Sequence, residues 1–580
     1  MALVRVRPPH EPADGREVRR TSAGAVGVEA FVVLGALSVL GALFAVGKTW
    51  AAPLQETAPI DLRVSALPLY ALFTLSRGFL AFFCSLAFTI VYGTIAARSA
   101  RAERVMIPVL DVLQSIPVLS FIPGFVLAFE GLFPRWNVGL EIACVLSIFT
   151  GQVWNMTFSY HASLRAIPSE QREVARLFRF GRRDMITRLE LPSAMIGLVW
   201  NSMMSMAGGW FFITVIESID IGQRHVRIPG LGSYMSKAID AGDHGAMAAG
   251  VVAMIVMIVA VDQLLWRPVL VWAERFKNEE TASADKPTSW AYSLLHRSRL
   301  VAWLRRGRRP RAATAPTTAG VSTSGAGADG FGKAAFAAAL VAGVAAAAWG
   351  AWRLTLLLSP LPGAAWLHVL RCLGLTALRV LATLVIAVVV AVPAGIAVGR
   401  SPRLSRALQP VIQVAASFPA PMLYAFLVPA LLWISAPADV IVVALLLLGS
   451  TWYVLFNVAG GASAVPQDLR EAAAAFRLDG MRRFVVLYLA AVFPALVTGA
   501  ITAAGGAWNA SIVAELVEWK KGSTIEVTGI GSLLAHAVHD EDYPTLAAAT
   551  VLLAVLLVLV NRFCWKPLHR IADERFSLNR

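Results

Sequence analysis

Apolar stretches of roughly 20 residues, the length a helix needs to cross a bilayer, recur about a dozen times along this chain. Their centres lie near Ala36, Phe82, Pro117, Leu146, Met203 and Val256, then near Ala346, Leu384, Pro419, Leu446, Leu496 and Val555. With 57% of residues apolar, 15% charged and a mean hydropathy of +0.66, the chain lacks the polar surface to cover a soluble globule. The expected fold is an all-α polytopic membrane protein of about 12 transmembrane helices. The third stretch is interrupted by Pro108, Pro117 and Pro123, the ninth by Pro410, Pro419, Pro421 and Pro429. Proline costs a helix about 3 kcal/mol in water, and membrane helices carry it where neighbours satisfy the freed carbonyls. These two stretches therefore read as broken or kinked spans.

The asymmetry of Lys and Arg sets the expected orientation. With the N-terminus inside, the inner segments hold Arg98, Arg101 and Arg104, the Arg-rich stretch 165–188, the segment 273–333, Arg400, Arg403 and Arg406, and Arg470 to Arg483. Outer segments such as 48–65, 217–243 and 515–544 mix both signs or lean acidic. Both termini are expected in the cytoplasm. The net charge of +15 follows from this bias, so no nucleic-acid partner is needed to explain it. Val26 to Gly47 is long enough to be a retained first helix, with no processing site evident after it. Cys84, Cys144, Cys372 and Cys564 lack metal or redox spacing and read as packing residues.

The chain repeats itself at an offset of 298. "PSEQREVARLFRFGRRD" from Pro168 returns as "PQDLREAAAAFRLDGMRRF" from Pro466, and "GGWFFITVIE" (Gly208 to Glu217) is answered by "GGAWNASIVAE" (Gly505 to Glu515). "PGLGSYMSKAIDAGDH" pairs with "TGIGSLLAHAVHDEDY", and "WRPVLVWAERF" with "WKPLHRIADERF". Such self-similarity marks a duplicated architecture. With an even span count per half, the halves form two parallel six-helix repeats related by a pseudo-twofold axis along the membrane normal. The expected divisions are a cytoplasmic segment 1–25, one half over 26–276, a flexible basic linker 277–333, and the other half over 334–580. The linker's arginines, Arg297, Arg299, Arg305, Arg306, Arg308, Arg309 and Arg311, suit either anionic membrane lipid or a solvated tether.

On the repeated charged segment, Pro168 and Pro466 suit a first helical turn. Leu469, Ala472, Ala473 and Phe476 fall on one face, as do Val174, Leu177 and Phe178, and Gly181 and Gly480 are expected to stop the helix. A short amphipathic helix presented twice on one side asks for a partner that is itself twofold. The segments "REVARLFRFG" and "REAAAAFRLDG", followed by Leu191-Pro192 and Phe493-Pro494, resemble the EAA loop of ABC-type import permeases. The Gly-Gly-Trp-to-Glu segments and the terminal Trp-Arg/Lys-Pro look most like the duplicated permeases of the nitrate/sulfonate/taurine/bicarbonate class. Val174 departs from the family's preferred Ala, and eight residues separate Glu173 from Gly181, nine Glu471 from Gly480.

The resemblance implies a permease of the bacterial cytoplasmic membrane that imports a small anion. An extracytoplasmic substrate-binding protein would deliver the anion, and two copies of a separate ATPase, which bind the ATP and Mg, would drive transport. Coupling residues would be Pro168, Glu173, Ala175, Phe178 and Gly181, with Pro466, Glu471, Ala472, Ala473, Phe476 and Gly480. The chain is expected to hold no cofactor, no metal and no catalytic residue. "GALFAVGKT" (Gly41 to Thr49) has Ala42 where a phosphate-binding loop needs Gly, and no other G-x-x-x-x-G-K-[S/T] occurs.

Ionisable residues deep in the spans are scarce, against the habit of ion- or proton-coupled carriers. Arg77, Arg371 and Arg379 fall near span edges, and Asp262 near the inner end of the sixth. A secondary transporter of 12 helices is nevertheless the alternative. Candidate path residues are Gln114, Asn201, Ser205, Gln413, Asn509 and Ser511, beside Ser115, Gln152, Asn155, Ser202, Ser417 and Asn457. Each serves equally as an interhelical hydrogen bond. Trp210 and Trp508 follow small residues that let helices approach, so the two rings are candidates for a gate at the midline or for interfacial packing. Glu217 and Glu515, at the outer ends of spans five and eleven, are candidates for a salt bridge, a gate contact or docking of the binding protein, with Asp240, Asp243, Asp540, Glu541 and Asp542 on the same face.

Overall fold

The computed structural model describes residues 46–53, 58–114, 117–221, 224–276, 289–297 and 326–576. Among these residues nine helices are long and apolar enough to cross a membrane. A tenth span is the pair Arg403–Ser417 and Pro421–Trp433, bent by 95°. The stretch around Ala36 lies outside the described residues, as does most of the linker, although the linker's last residues, 326–333, are already helical.

The first half runs α1 (Leu67–Arg98), α2 (Ala100–Gln114), α3 (Ile122–Leu132), α4 (Val138–Arg165), the short α5 (Ser169–Leu177) and α6 (Leu191–Ile216). A hairpin of β1 (Ser218–Ile221) and β2 (Arg224–Arg227) follows, then α7 (Leu231–Ala241) and α8 (His244–Val261). After the peripheral α9 (Ala326–Leu358), the second half repeats the order. It runs α10 (Gly363–Gly399), α11 (Pro402–Ser417), α12 (Pro421–Trp433), α13 (Ala438–Ser463), α14 (Gln467–Ala475) and α15 (Ala490–Ala514). The hairpin of β3 (Leu516–Lys520) and β4 (Ser523–Glu526), α16 (Ile530–His539) and α17 (Tyr543–Val560) complete it.

In each half the middle span packs between two others, α4 between α1 and α6, and α13 between α10 and α15. Glycine permits the closest crossings. A Cβ on Gly93 would lie 2.6 Å from the Tyr160 ring, and one on the equivalent Gly395 2.8 Å from Val458. The third and ninth stretches break as their prolines require. The α2 chain gives way to a 3-10 turn at Val118–Phe121 before α3, and α11 ends before Pro419. Each half also carries two π-helical turns at matching places, Met185–Glu190 and Asp262–Trp266, then Phe484–Leu489 and Asn561–Trp565. Such turns widen a helix locally and recur at functional positions. The halves meet where α11 packs on α6 and α8, and where α12 packs on α6. Connectivity places α5 and α14 at one end of the bundle and the two hairpins at the other.

Candidate functional site

Three features are built twice or lie where the halves meet. At the hairpin end, Arg77 of α1 is 1% exposed and holds two acids from other helices. Its Nε and Nη2 donate to Glu141 of α4 at 2.6 and 2.7 Å, and its Nη1 donates to Glu217, just past α6, at 2.9 Å and to the Pro229 carbonyl at 2.7 Å. Thr74 Oγ1 donates to Glu217 at 2.7 Å and accepts the Leu231 amide, while the Gly232 amide donates to the other carboxylate oxygen at 2.8 Å. The second half repeats this with Arg379, Asp439, Glu515, Thr376 and the Gly531 amide. A buried charge is tolerated only when paired and hydrogen-bonded, and here both carboxylate oxygens of each glutamate are satisfied. The repeated Gly-x-Gly-Ser is explained by space. A Cβ on Gly230 or Gly529 would sit 2.2 or 2.1 Å from the glutamate side chain, and one on Gly232 or Gly531 would sit 2.3 Å from a backbone carbonyl.

This arrangement corrects the docking assignment of Glu217 and Glu515. Both are fully buried and form salt bridges, so neither presents a carboxylate to a partner. Of the other acids on that face, Asp240 pairs with Arg227. Asp243 accepts the Ala246 amide and Asp542 the Thr545 amide as helix caps. Asp243, Asp540, Glu541 and Asp542 remain exposed.

Between the halves lies a cavity of about 270 Å³ whose lining contains no charged side chain. Its polar groups include Gln114, Asn155, Tyr453, Trp508, Asn509 and Asn561. Asn509 is held in place because its Oδ1 accepts the Val118 amide at the break before α3 (3.1 Å) and its Nδ2 donates to the Gly505 carbonyl (2.9 Å). Gly208 and Gly505 meet nothing within 4 Å and widen this space, whereas Gly209 lets α6 approach α4, since a Cβ there would lie 2.5 Å from the Gln152 side chain. The two candidate tryptophans part company. Trp508 lines the cavity, whereas Trp210 packs over Gly78 and borders a separate void of about 20 Å³ with Gln413. A gate of two facing indoles at one constriction is therefore not what this arrangement builds.

The remaining path candidates do not line the cavity, and most of them bond within or between helices. Asn201 bonds Ser159 and the Gly197 carbonyl, Ser511 bonds the Trp508 carbonyl, and Gln413 reaches Asp262. Ser205 Oγ is buried without a hydrogen-bond partner. Tyr453, Trp154 and Asn561 escaped the sequence reading, because nothing in their spacing distinguishes a wall residue from a packing one.

At the opposite end, α5 and α14 rest on the bundle through Ala175 and Ala473, 3% and 4% exposed. Their outward residues include apolar ones beside charged ones such as Glu173 and Arg176. Val174, Leu177 and Phe178 are exposed on the first, Leu469 and Phe476 on the second, with the two phenylalanines 73% and 80% exposed. Pro168 and Pro466 occupy the position before the first turn. Glu173 and Ala472 face outward, and Glu471 accepts from Gln467. The expected glycine stops are corrected. The helices end at Leu177 and Ala475, and Arg179 and Arg477 take the left-handed conformation with φ of 52° and 51°. Their amides reach Arg176 and Ala474, and the next amides, of Phe180 and Leu478, reach back to Ala175 and Ala473, closing each helix end as a Schellman motif. Gly181 begins the next turn, and Gly480 adopts positive φ three residues after Arg477. No cluster of His, Cys, Asp and Glu among the described residues could hold a metal.

The profile of the binding-protein-dependent transport system inner membrane component matches twice, over residues 89–265 and 387–575. The chain is 27% identical to a bicarbonate transport system permease protein of Synechocystis sp. over 30% of this chain and 60% of that one. It is also 27% identical to a nitrate import permease protein of the same organism, with the same coverage. A putative aliphatic sulfonates transport permease protein of Bacillus subtilis is 23% identical over 35% of this chain and 69% of its own length. The first of these matches thus span about three fifths of the relative's length.

Proposed function

The chain belongs to the family of binding-protein-dependent transport system inner membrane components, once in each half, and from that premise we propose that it is a two-in-one permease for a small anion, driven by separate ATPase subunits. The observation that carries this reading is the pair of short helices, α5 and α14. Each turns an exposed phenylalanine outward from the same place in its half. Leaving two such rings in water gains nothing, since burying a Phe side chain stabilises by about 1.5–3 kcal/mol. Two copies of one ATPase would cover them, one helix in the cleft of each, at the cytoplasmic face that the Arg-rich segments define. A binding protein would dock at the hairpin end, on Asp243, Asp540, Glu541 and Asp542.

The inter-half cavity then serves as the substrate chamber. Its neutral amides, indoles and phenol offer N–H and O–H donors without a fixed cation, which suits a small oxyanion that must be released again. The names of the relatives, for bicarbonate, nitrate and aliphatic sulfonates, support that class.

Phe178→Ala with Phe476→Ala tests the coupling. Interface aromatics are frequent hot spots whose truncation costs about 2 kcal/mol or more. The double variant should be inserted and fold normally yet fail to retain the ATPase on co-purification. Undiminished retention would show that the two rings contact something else.

A further inference from the structure

The two contacts between each half's second helix and the other half's last span carry the same chemistry with its parts exchanged. In the first, Asp111 of α2 accepts from Asn561 Nδ2 at 2.9 Å through Oδ1, and its Oδ2 pairs with Lys566. In the second, Gln413 of α11 donates Nε2 to Asp262 Oδ1 at 2.6 Å, and Asp262 Oδ2 accepts from Arg267 Nε at 3.3 Å. Asp111 and Gln413 occupy equivalent positions in the two halves, as do Asp262 and Asn561 at the start of the matching π-helical turns, and Arg267 and Lys566 just beyond. Across each contact one carboxylate meets one carboxamide with one cation beside them, while Gln114 and Gln263 add a second amide from the carboxylate's own half. The carboxylate comes from the first half both times, and the carboxamide that faces it across the contact from the second.

In a twofold pair every contact occurs twice with the same partners, which decides what mispairing would cost. Two first halves would set Asp111 against Asp262 in both contacts, leaving two carboxylates to share the single Arg267 where the native contacts give each carboxylate its own cation. Two second halves would set Gln413 against Asn561 twice, leaving each Lys566 without its acid. Only first half with second half gives one acid and one amide at each contact.

We propose that this transposed acid and amide pair makes the first half reject a second copy of itself and accept the second half of its own chain. The need arises during synthesis. The second half follows the first by roughly 10–50 s at ~5–20 residues per second, and through that interval a finished first half shares the membrane with others. Like charges facing each other across an interface are an effective way to reject a wrong partner. The inference rests on these contacts alone and holds whatever the chain transports.

Full-length chains bearing two different affinity tags, expressed together, provide the test. The double variant Asp262→Asn with Gln413→Asp keeps one acid, one amide and one cation at every contact within the chain, yet makes each half complementary to itself. It should melt in detergent at the wild-type temperature, while co-purification of the second tag rises several-fold over wild type. Asp262→Asn alone should melt lower, since its contact loses the only carboxylate. A double variant that melts like wild type without any rise in cross-copy association would overturn the proposal. So would one that fails to assemble, because the two groups would then not be interchangeable.

Discussion

Removing the Arg77 guanidinium would strand Glu141 and Glu217 together in the packed interior, where both are almost wholly buried. Breaking a buried pair by removing one partner typically costs about 3–5 kcal/mol, and Arg77→Ala should fall in that range. Arg379→Ala should cost less, because the Asp439 side chain is 69% exposed and keeps its hydration when its partner leaves. Thermal unfolding of the two variants in detergent checks this, and equal losses would show that the two clusters are energetically alike. The sequence carried half of this feature. Glu217 and Glu515 stood out because they repeat at 298 residues, but a carboxylate closing an apolar span reads as exposed when its partner lies 140 residues away. Arg77 and Arg379 repeat at 302 instead, because Arg379 lies 60 residues before Asp439 whereas Arg77 lies 64 before Glu141, so their correspondence with the glutamates was hidden.

Among the elements, periodicity and proline spacing made the long spans and both broken ones legible, and the duplicated EAA-like segment became two short helices where the repeat places them. The stops of those helices were misjudged, since arginine rarely takes positive φ and glycine is the usual choice there. The Gly-Gly-Trp segments misled in another way. Equal sequence implied equal roles, whereas the halves pack asymmetrically around the cavity and only Trp508 reaches it. Two single variants separate the tryptophans. Trp508→Ala should alter uptake per folded protein, through leak or lost coupling, beyond the stability lost with a ring that is itself buried. Trp210→Ala should chiefly lower the unfolding temperature, because truncating a buried Trp costs about 3–5 kcal/mol and its ring packs directly on Gly78. Identical uptake defects in the two would restore a symmetrical role for the rings.

Across the whole molecule, the duplication puts both walls of the inter-half cavity and both short helices, α5 and α14, into one chain. Composition and the offset of 298 made that architecture readable before any coordinates. The inter-half cavity was less so, because its wall is assembled from residues far apart in the chain, such as Gln114, Tyr453 and Asn561, each ordinary within its own helix. On the proposed reading, transport depends on nucleotide hydrolysed by partners seated on α5 and α14. Its most direct test is uptake of bicarbonate, nitrate and an alkanesulfonate into vesicles holding this chain, its cognate ATPase and binding protein, with and without ATP. One of these anions should accumulate only when ATP and both partners are present. Accumulation of an anion by the chain alone, driven by an ion or proton gradient, would contradict it.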